Sequence, residues 1–350
     1  MKVAILGPVT TDEYYGGVAV FDEELALGFK NNKWDVVLLT NQKVTVENKK
    51  GIPIRRVGVI SARKVIEEEK PDIILASLNY AKYWRNCDKR IRKIYFLHGF
   101  FNRSYYGKIK AELGALYQKN VANKSDYVFS NSYFTQMINN QFFDINSDCV
   151  FHLGVTAEYL NELEKENIDK KSNTILYVGR LVSAKGVGNL MSAMKILKNH
   201  KVNYELYIAG DGPDEIKLKF LAQKYKLNVH FLGRITQREL ALYYRKAEVF
   251  VSLNPSEPFG IVFPEALIAN CKILCPYTGG QIEYLNDYGS KIEYVNEKSE
   301  ISIAEGIQKL LSQENDANEL TIRESYKFNY NNVASKIIEY LEENSKDYDI

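Results

Sequence analysis

Apolar runs of strand length alternate with amphipathic helical stretches along the chain, and this alternation forms two series. It is typical of β-α-β units, in which parallel strands build a sheet with helices on both faces. The first series predicts strands at Lys2–Gly7, Val36–Thr40, Asp72–Ser77, Ile94–His98, Tyr127–Ser130 and Cys149–Leu153, with helices such as Val18–Lys30 and Lys108–Val121 between them. The second series predicts strands at Ile175–Val178, Glu205–Ala209, Val229–Leu232, Val249–Leu253, Ile273–Pro276 and Lys291–Val295. The predicted class is therefore α/β, with two doubly wound parallel sheets.

A polar, charge-dense stretch without a strand pattern separates the two series. We place a linker there, at 158–171, between an N-terminal domain at 1–157 and a C-terminal domain at 172–330. The remaining segment, 331–350, is predicted to be a helix with one apolar face. That face needs a surface to cover it, and the periodicity alone does not decide which domain provides the surface.

Apolar residues also recur at helical spacing inside the second half, at Val187, Leu190, Met191, Met194 and Leu197. We interpret this stripe as core packed against a sheet.

Length and composition agree with this organisation. The chain has 350 residues, of which 45% are hydrophobic and 26% charged, a composition typical of soluble globular proteins of about two domains. Disordered and collagen-like classes are excluded. Residues 1–150 contain 22 Lys and Arg against 16 Asp and Glu, a net +6, whereas residues 151–350 contain 24 against 28, a net −4. The asymmetry indicates that the two halves bind different partners, the basic half an anionic surface or ligand.

The N-terminal apolar run, Val3 to Pro8, is too short for a secretory signal or a membrane span, so we expect a cytoplasmic protein. The chain has four cysteines without paired C-x-x-C spacing or nearby histidines. Neither a disulfide framework nor a zinc site is favoured, and Cys271 and Cys275 are predicted to be buried free thiols.

Glycines follow the first predicted strand, in the sequence Tyr14-Tyr15-Gly16-Gly17 before a helix. Paired glycines let backbone N–H groups approach an anion at a helix N-terminus, although a simple tight turn explains them equally well. No G-x-G-x-x-G follows any strand. A nicotinamide or flavin Rossmann enzyme is therefore only an alternative.

Cationic side chains mark the turn after the strand Ile175–Val178. Arg180 and Lys185 lie on this single strand-to-helix turn. A cation beside a helix N-terminus is unfavourable without an anion, which favours a metal-free diphosphate site over solvated surface charge. Two further strand ends carry weaker signals. Gly210-Asp211-Gly212-Pro213 is typical of a tight turn, and Leu232-Gly233-Arg234 could lie against a flat nucleobase.

The most specific motif places two carboxylates around a Pro-Phe-Gly sequence. Glu257 is predicted in a loop and Glu265 in the following helix, and the backbone N–H groups of Phe259, Gly260 and Ile261 lie near the start of that helix. Carboxylates accept hydrogen bonds from sugar hydroxyls, and Glu265 could bind two adjacent hydroxyls of a ribose.

Two further sequence features are less specific. His98 ends a strand of the first half, where an ordinary structural histidine is the alternative. Asp347-Tyr348-Asp349 has the D-x-D form of a metal-binding motif, but it stands at the C-terminus outside any strand-to-helix turn, and we discount it.

In order and spacing, these motifs resemble the retaining glycosyltransferases of family 4 over nearly the whole chain. The resemblance implies a GT-B fold, two Rossmann-like domains facing a cleft, with the last helix crossing back to the N-terminal domain. It implies that the C-terminal domain holds a nucleotide-sugar donor and the N-terminal domain an acceptor. The turn at His152-Leu153-Gly154-Val155 departs from the Pro-Asn-Gly-Val type that is commoner in the family.

The same resemblance assigns roles to individual residues. Arg180 and Lys185 would bind the donor diphosphate, helped by the backbone at Gly16 and Gly17, and Glu265 would hold the ribose. Glu257 would hold the transferred sugar together with the backbone of Phe259, Gly260 and Ile261. His98 would lie near the anomeric carbon. Gly210, Leu232, Gly233 and Arg234 complete the expected donor site, and His98, Arg180, Lys185 and Glu257 are the expected catalytic residues.

The expected activity is transfer of a hexose or N-acetylhexosamine to a glycan or lipid-linked acceptor in surface polysaccharide or glycoconjugate synthesis. UDP-sugar is favoured by its frequency in the family, and neither a cofactor nor a metal is expected. The alternatives are a catalytically silent partner of another transferase and a nucleotide-sugar epimerase.

The acceptor side is less specific. Tyr80, Tyr83 and Trp84 precede a basic stretch that includes Arg90, Arg92 and Lys93, and more aromatic residues follow His98. This composition suits a peripheral membrane contact or a lipid-diphosphate acceptor, with core aromatics and a solvated face as the equal alternative. Nucleic acid is not expected as a partner.

Overall fold

The computed structural model of the chain describes residues 1–11, 14, 16–85, 87–165, 170–314 and 327–344. It divides into two compact units. Unit 1 comprises Met1–Thr156 and Phe328–Ile350, and unit 2 comprises Ala157–Lys327. Tyr15 of the glycine motif and the Asp347-Tyr348-Asp349 sequence lie outside the described residues.

Within its described residues, unit 1 contains an eight-stranded sheet. The order is β3-β4-β2-β1-β5-β6-β7-β8, and only β3 is antiparallel to its neighbour. The strands are β1 Lys2–Leu6, β2 Asp35–Thr40, β3 Asn48–Lys49, β4 Ile52–Arg56, β5 Ile73–Ser77, β6 Arg92–Leu97, β7 Tyr127–Ser130 and β8 Cys149–Val150. All six predicted strands of the first series are confirmed.

Two strands of unit 1 were not predicted. In β4 only Ile52 and Ile54 face the core, and Pro53 between them is exposed. Two alternating apolar positions are too few for a strand pattern, and a proline argues against a central strand. The two-residue strand β3 covers the edge of β4.

The first helices of unit 1 are α1 Gly17–Asn31, α2 Ala62–Glu69, α3 Arg103–Tyr106, α4 Lys108–Ala122 and α5 Tyr133–Phe143, with a 3₁₀ helix at Leu78–Trp84. Helix α1 buries Phe21, Leu25 and Phe29 against the sheet. Helix α5 begins after Ser132, whose side chain accepts a hydrogen bond from the backbone N–H of Thr135.

Unit 2 contains an all-parallel sheet, with six strands among its described residues in the order β11-β10-β9-β12-β13-β14. Its strands are β9 Thr174–Val178, β10 Glu205–Ala209, β11 Val229–Gly233, β12 Val249–Val251, β13 Lys272–Pro276 and β14 Ile292–Val295. The second predicted series is confirmed.

The helices of unit 2 are α6 Ala157–Lys165, α7 Val187–Asn199, α8 Glu215–Tyr225, α9 Gln237–Lys246, α10 Val262–Ile268, α11 Ile282–Leu285 and α12 Glu300–Ser312. Short 3₁₀ helices occur at Ser183–Lys185 and Asn286–Lys291. The predicted apolar stripe of α7 is fully buried, which confirms it as core.

The predicted linker at 158–171 differs from the structure. Helix α6 occupies its first half, buries Tyr159 and Leu163, and packs against α9 as part of unit 2. Two apolar residues four positions apart are enough to anchor a short helix, but the surrounding charges hid this pair in the sequence pattern.

The last helix, α13 Tyr330–Glu343, belongs to unit 1. Its Val333, Ile337 and Leu341 lie in the same apolar cluster as Phe21 and Leu25 of α1. Polar contacts fix the register of the two helices, because the Asn31 Nδ2 donates to the Asn331 Oδ1 at 2.8 Å. The apolar face predicted for this segment is therefore covered by unit 1.

Candidate active site

The strand order of unit 2 reverses between β9 and β12, because the chain runs outward to β11 before it returns to β12. In open α/β sheets, ligands bind beyond the carboxyl ends of the strands at such a reversal. The residues that follow these two strands are Arg180 and Lys185 after β9 and Glu257 after β12. The fold thus brings the most specific sequence motifs to the position where a ligand is expected.

Lys185 and Glu257 form an ion pair in this position. The Lys185 Nζ lies 2.6 Å from the Glu257 Oε2, and the Asn254 Nδ2 donates to the same oxygen at 2.8 Å. Burial by itself would raise the pKa of Glu257, but the Lys185 ammonium and the Asn254 amide outweigh it and hold that pKa below its ordinary value. Glu257 is therefore an ionised carboxylate at neutral pH. Arg180 is exposed on the same turn, where the Tyr177 hydroxyl donates to its carbonyl at 3.1 Å.

Glu265 has the opposite electrostatic environment. It lies on α10, only 3% exposed, and accepts a hydrogen bond from the Tyr244 hydroxyl at 3.1 Å. Burial raises the pKa of Glu265 to about 8, against a smaller lowering effect of the Tyr244 hydrogen bond. The Tyr159 hydroxyl of α6 donates to the Glu265 carbonyl at 2.7 Å, which ties the start of unit 2 to this helix. Glu265 is therefore mostly protonated at neutral pH.

We expect Glu265→Gln to make thermal stability less dependent on pH. Because the folded-state pKa near 8 exceeds the ordinary 4.5, this carboxyl contributes stability below pH 4.5 that is lost as the pH rises through 8. An amide has no proton to lose. The Tm of the variant minus that of the wild type should therefore grow between pH 5 and pH 9, by on the order of 5 °C.

Calorimetry across this pH range measures the difference. The matched control is Glu305→Gln at an exposed position of α12, where the Tm difference should stay constant. A constant difference for Glu265→Gln as well would show that this carboxyl has an ordinary pKa.

Between the two glutamates, the backbone turns sharply at Gly260. Its φ is +78°, and a Cβ there would lie 2.6 Å from the Phe263 ring and 2.8 Å from the Glu257 Cγ. The Tyr284 hydroxyl donates to the carbonyls of Phe259 and Gly260 at 2.8 and 3.1 Å. These hydrogen bonds hold the two carbonyls of the loop in place. The backbone N–H groups at the start of α10 are among those that a helix cannot satisfy by its own hydrogen bonds.

The remaining donor-site candidates of unit 2 lie farther along the sheet. Gly210 follows β10, and its backbone N–H donates to the Gly233 carbonyl at 2.7 Å. Leu232 and Gly233 end β11, the outermost strand on that side, and Arg234 follows, where its Nε pairs with the Asp211 Oδ2 at 2.6 Å on the surface. The structure thus places these residues at the ends of adjacent strands, with Arg234 held by Asp211.

In unit 1, Gly16 precedes α1 and Gly17 begins it. A Cβ placed on Gly17 would meet no described atom within 4 Å. His98 follows β6, and its Nε2 lies 2.9 Å from the Ser77 Oγ at the end of β5. Desolvation lowers the pKa of His98 to about 3, so the imidazole is neutral at physiological pH. Tyr80, Tyr83 and Trp84 are buried in the core of unit 1, so these aromatic residues do not form a surface.

Several residues that complete the site were not identified from the sequence. Asn254 directly follows Leu253, the last residue of the strand predicted at Val249–Leu253, so the rule of ligands at strand ends could have found it. Tyr244 and Tyr284 gave no signal, because each lies on another helix more than 20 residues away from the group it holds. Among the described residues, no group of three or more His, Cys, Asp or Glu side chains is arranged to hold a metal ion. Cys87, Cys149, Cys271 and Cys275 are free thiols.

The two Rossmann-like units are those of the GT-B class, the fold class of the chain's glycosyltransferase structural neighbours. Residues 159–327 match the family model described as glycosyl transferases group 1. This range is nearly the whole of unit 2 and just under half of the chain, so unit 2 is similar to the glycosyl transferases group 1 family.

Comparison with individual proteins agrees with this family. The chain is 36% identical over 160 residues to an uncharacterised glycosyltransferase of Methanocaldococcus jannaschii, covering 44% of this chain and 40% of the relative. It is 29% identical over 191 residues to the alpha-monoglucosyldiacylglycerol synthase of Streptococcus pneumoniae, covering 53% of this chain and 42% of the relative. The chain thus matches about two fifths of the length of these curated relatives. The Anabaena protein HepE, solved in complex with UDP and glucose, shares the fold with a TM-score of 0.74. The two sequences are 17% identical, and the match covers 98% of this chain and 100% of that chain.

Proposed function

We propose that the protein is a retaining glycosyltransferase that moves a hexose or N-acetylhexosamine from a UDP-sugar to a glycan or lipid-linked acceptor. The observation that carries the proposal is the Lys185–Glu257 pair at the strand reversal of unit 2, beside Arg180. The product would enter a surface polysaccharide or a glycoconjugate. In this proposal unit 2 binds the donor and unit 1 the acceptor.

The donor diphosphate is the leaving group of such a transfer, and its negative charge increases as the bond to the sugar breaks. Arg180 and Lys185 are two cations on one turn and would stabilise that charge. Lys185 has three N–H donors, and only one is needed for Glu257. The ammonium can therefore bind a phosphate oxygen while it keeps Glu257 in place. No divalent metal is needed in this arrangement.

The two glutamates would bind hydroxyl groups in different protonation states. Glu257 is ionised and accepts hydrogen bonds, as suits hydroxyls of the transferred sugar. Glu265 is protonated at neutral pH and can both donate and accept, as suits the two hydroxyls of a ribose. The turn at Phe259, Gly260 and Ile261 would bind the sugar through backbone N–H groups, and Leu232 to Arg234 would flank the base. His98 of unit 1 is a further candidate to bind a sugar hydroxyl.

A binding screen tests the donor. Purified protein is titrated with UDP-, GDP- and ADP-sugars in a calorimeter, with and without EDTA. We expect a UDP-sugar to bind most tightly and chelation to leave its Kd unchanged. Loss of binding with EDTA would overturn the metal-free proposal, and tighter binding of another nucleotide would overturn the UDP assignment.

The same purified protein, incubated with a nucleotide sugar, distinguishes the two alternative functions. A bound donor that is neither transferred to an acceptor extract nor changed would favour a silent partner subunit. Epimerised donor that forms without any acceptor would favour an epimerase.

The acceptor side carries a surface that suits a lipid-linked acceptor. On α4, Ile109, Leu113 and Leu116 are 74%, 63% and 64% exposed and lie on one helical face. Exposed Lys108 and Lys110 lie on either side of this face. An apolar helical stripe between lysines is typical of helices that lie in the interface of an anionic bilayer. No helix in the described ranges is long and apolar enough to span a bilayer.

We expect Leu113→Glu with Leu116→Glu to reduce sedimentation with vesicles that contain an anionic phospholipid by about 10-fold, because two apolar side chains that would insert into the bilayer are lost and two negative charges are added. Binding of UDP-sugar should not change. The matched control is Ile216→Glu with Phe220→Glu, an exposed apolar pair about one helical turn apart on α8 of unit 2. Equal sedimentation of the α4 variant and the wild type would remove α4 as a membrane surface.

A further inference from the structure

Unit 1 has its own strand reversal, between β1 and β5. Three polar side chains meet at this position from separate parts of the chain. Asp22 comes from α1, Ser77 ends β5, and His98 follows β6. Asp22 and Ser77 are both fully buried, which is unusual for an aspartate without a cationic partner.

The hydrogen bonds among Asp22, Ser77 and His98 indicate which of their atoms carry protons. The Ser77 hydroxyl donates to the Asp22 Oδ1 at 2.6 Å. A serine has a single proton, so at its second contact, 2.9 Å from the His98 Nε2, the Ser77 Oγ accepts. The Nε2 of His98 therefore carries the imidazole proton, and Nδ1 carries the free electron pair.

Other contacts of His98 fix its ring and its backbone. The Phe96 ring stacks on the imidazole at 5.0 Å between centroids, and Phe21 meets it edge-on at 4.6 Å. The Asn131 Nδ2 donates to the His98 carbonyl at 3.1 Å. No residue in the described part of the chain bonds to Nδ1, and His98 is partly exposed. Nδ1 is thus the polar atom of His98 that remains for a ligand.

Asp22 makes few other polar contacts. Its Oδ2 has no hydrogen-bond partner among the described residues, and it lies against Gly7, where a Cβ would come within 1.9 Å. The ionisable neighbours that face Asp22 are Glu23, Tyr14 and Tyr80. Burial, with a smaller contribution from Glu23, raises the pKa of Asp22 well above its ordinary value. Oδ1 of Asp22 accepts the Ser77 proton, which is what the network requires.

We propose that Asp22 and Ser77 are positioning residues that hold His98 in the Nε2-protonated form, so that Nδ1 accepts a hydrogen bond from a sugar hydroxyl. The assignment of that hydroxyl to a substrate rests on the proposed glycosyl transfer. The hydrogen-bond network itself does not. A sugar hydroxyl can either donate or accept, so the form of His98 decides which of the two it does.

Nitrogen NMR of the free protein tests the network independently of activity. The sequence has four histidines, so the His98 signals can be assigned by their loss in His98→Gln. We expect a single Nε2-protonated form that takes up no proton between pH 5.5 and pH 8.5, and a mixture of both forms in Ser77→Ala. Protonation of His98 near its ordinary pKa, or a proton on Nδ1, would overturn the proposal.

Kinetics then tests the role in transfer. Ser77→Ala and Asp22→Leu should lower kcat by about 10- to 100-fold, with the Kd of the donor unchanged, since loss of an orienting partner typically has an effect of this size. Asp22→Asn is uncharged and keeps an acceptor, so it should retain kcat within about 3-fold. Ser130→Ala is the matched control. Like Ser77, Ser130 ends a strand of unit 1 with a buried hydroxyl, but that hydroxyl bonds to Ser147.

The possible failures are distinguishable. If Asp22→Asn is as slow as Asp22→Leu, an acceptor at Oδ1 is not sufficient to hold Ser77 and the proposed network is wrong. If Ser77→Ala keeps wild-type kcat, the network has no role in transfer. If the wild type transfers no sugar, the proposed function fails, while the NMR result still decides whether the network holds His98.

Discussion

Replacing Arg180 and Lys185 together by alanine is expected to lower kcat/KM for sugar transfer by at least about 10³-fold and to weaken donor binding by about 100-fold or more. Charge-assisted hydrogen bonds contribute about 1.5–3 kcal/mol each, and two cations are lost from the turn after β9. Because the charge on the diphosphate grows during bond cleavage, the loss in kcat/KM should exceed the loss in binding. Titration calorimetry and initial rates measure the two effects.

This experiment needs a control for folding, since Lys185 also neutralises the half-buried Glu257. Lys185→Ala leaves that carboxylate with only the Asn254 amide, and we expect a lower Tm. Adding Glu257→Gln to the same chain should restore the Tm but not donor binding. Lys219→Ala removes an exposed ion pair of equal 2.6 Å length, to Glu215, and should change neither quantity. Unchanged turnover in the double variant of Arg180 and Lys185 would remove the diphosphate assignment.

Ending the chain after Lys327 is expected to unfold unit 1 and leave unit 2 folded. The truncation removes α13, whose Val333, Ile337 and Leu341 are buried in the core of unit 1. Burial of each such side chain contributes about 1.5–3 kcal/mol, and a whole domain is stable by only about 5–15 kcal/mol. The loss is therefore comparable with the entire stability of unit 1.

Calorimetry and nucleotide binding distinguish the two units in the truncated chain. We expect the unfolding transition of unit 1 to disappear, while a transition that shifts upward with UDP remains, because the candidate donor site lies in unit 2. As a control, Lys336→Ala at an exposed position of α13 should keep both transitions. A truncated chain with the complete heat of unfolding would show that α13 is dispensable.

The sequence was sufficient for the strands of both sheets, since each central strand is a short apolar run between helical stretches. It failed where few residues carry the signal. Strand β4 shows two inward-facing isoleucines, and α6 is held by Tyr159 and Leu163 among charges. Such short patterns also occur by chance. Only packing against the neighbouring strand or helix makes them regular elements.

The candidate site, too, was predicted only where local sequence carries the signal. The types of residue at the strand ends indicated Arg180, Lys185, Glu257 and Glu265, but no local pattern predicts that Lys185 pairs with Glu257 across 72 positions. The opposite pKa shifts of the two glutamates likewise depend on burial and, at Glu257, on Lys185 and Asn254. These properties arise from contacts between distant segments, and sequence spacing carries no information on them.

Unit 1 is built from two separate stretches of the chain, with the whole of unit 2 between them. This order of segments determines the sequence of events on the ribosome. All of unit 2 has been synthesised before residue 328, whereas the core of unit 1 lacks α13 until Leu341 has emerged. Domains usually complete their folding from the N-terminus onward during synthesis. Here the second unit can complete its core first, and the apolar surface of α1 must wait for its partner helix.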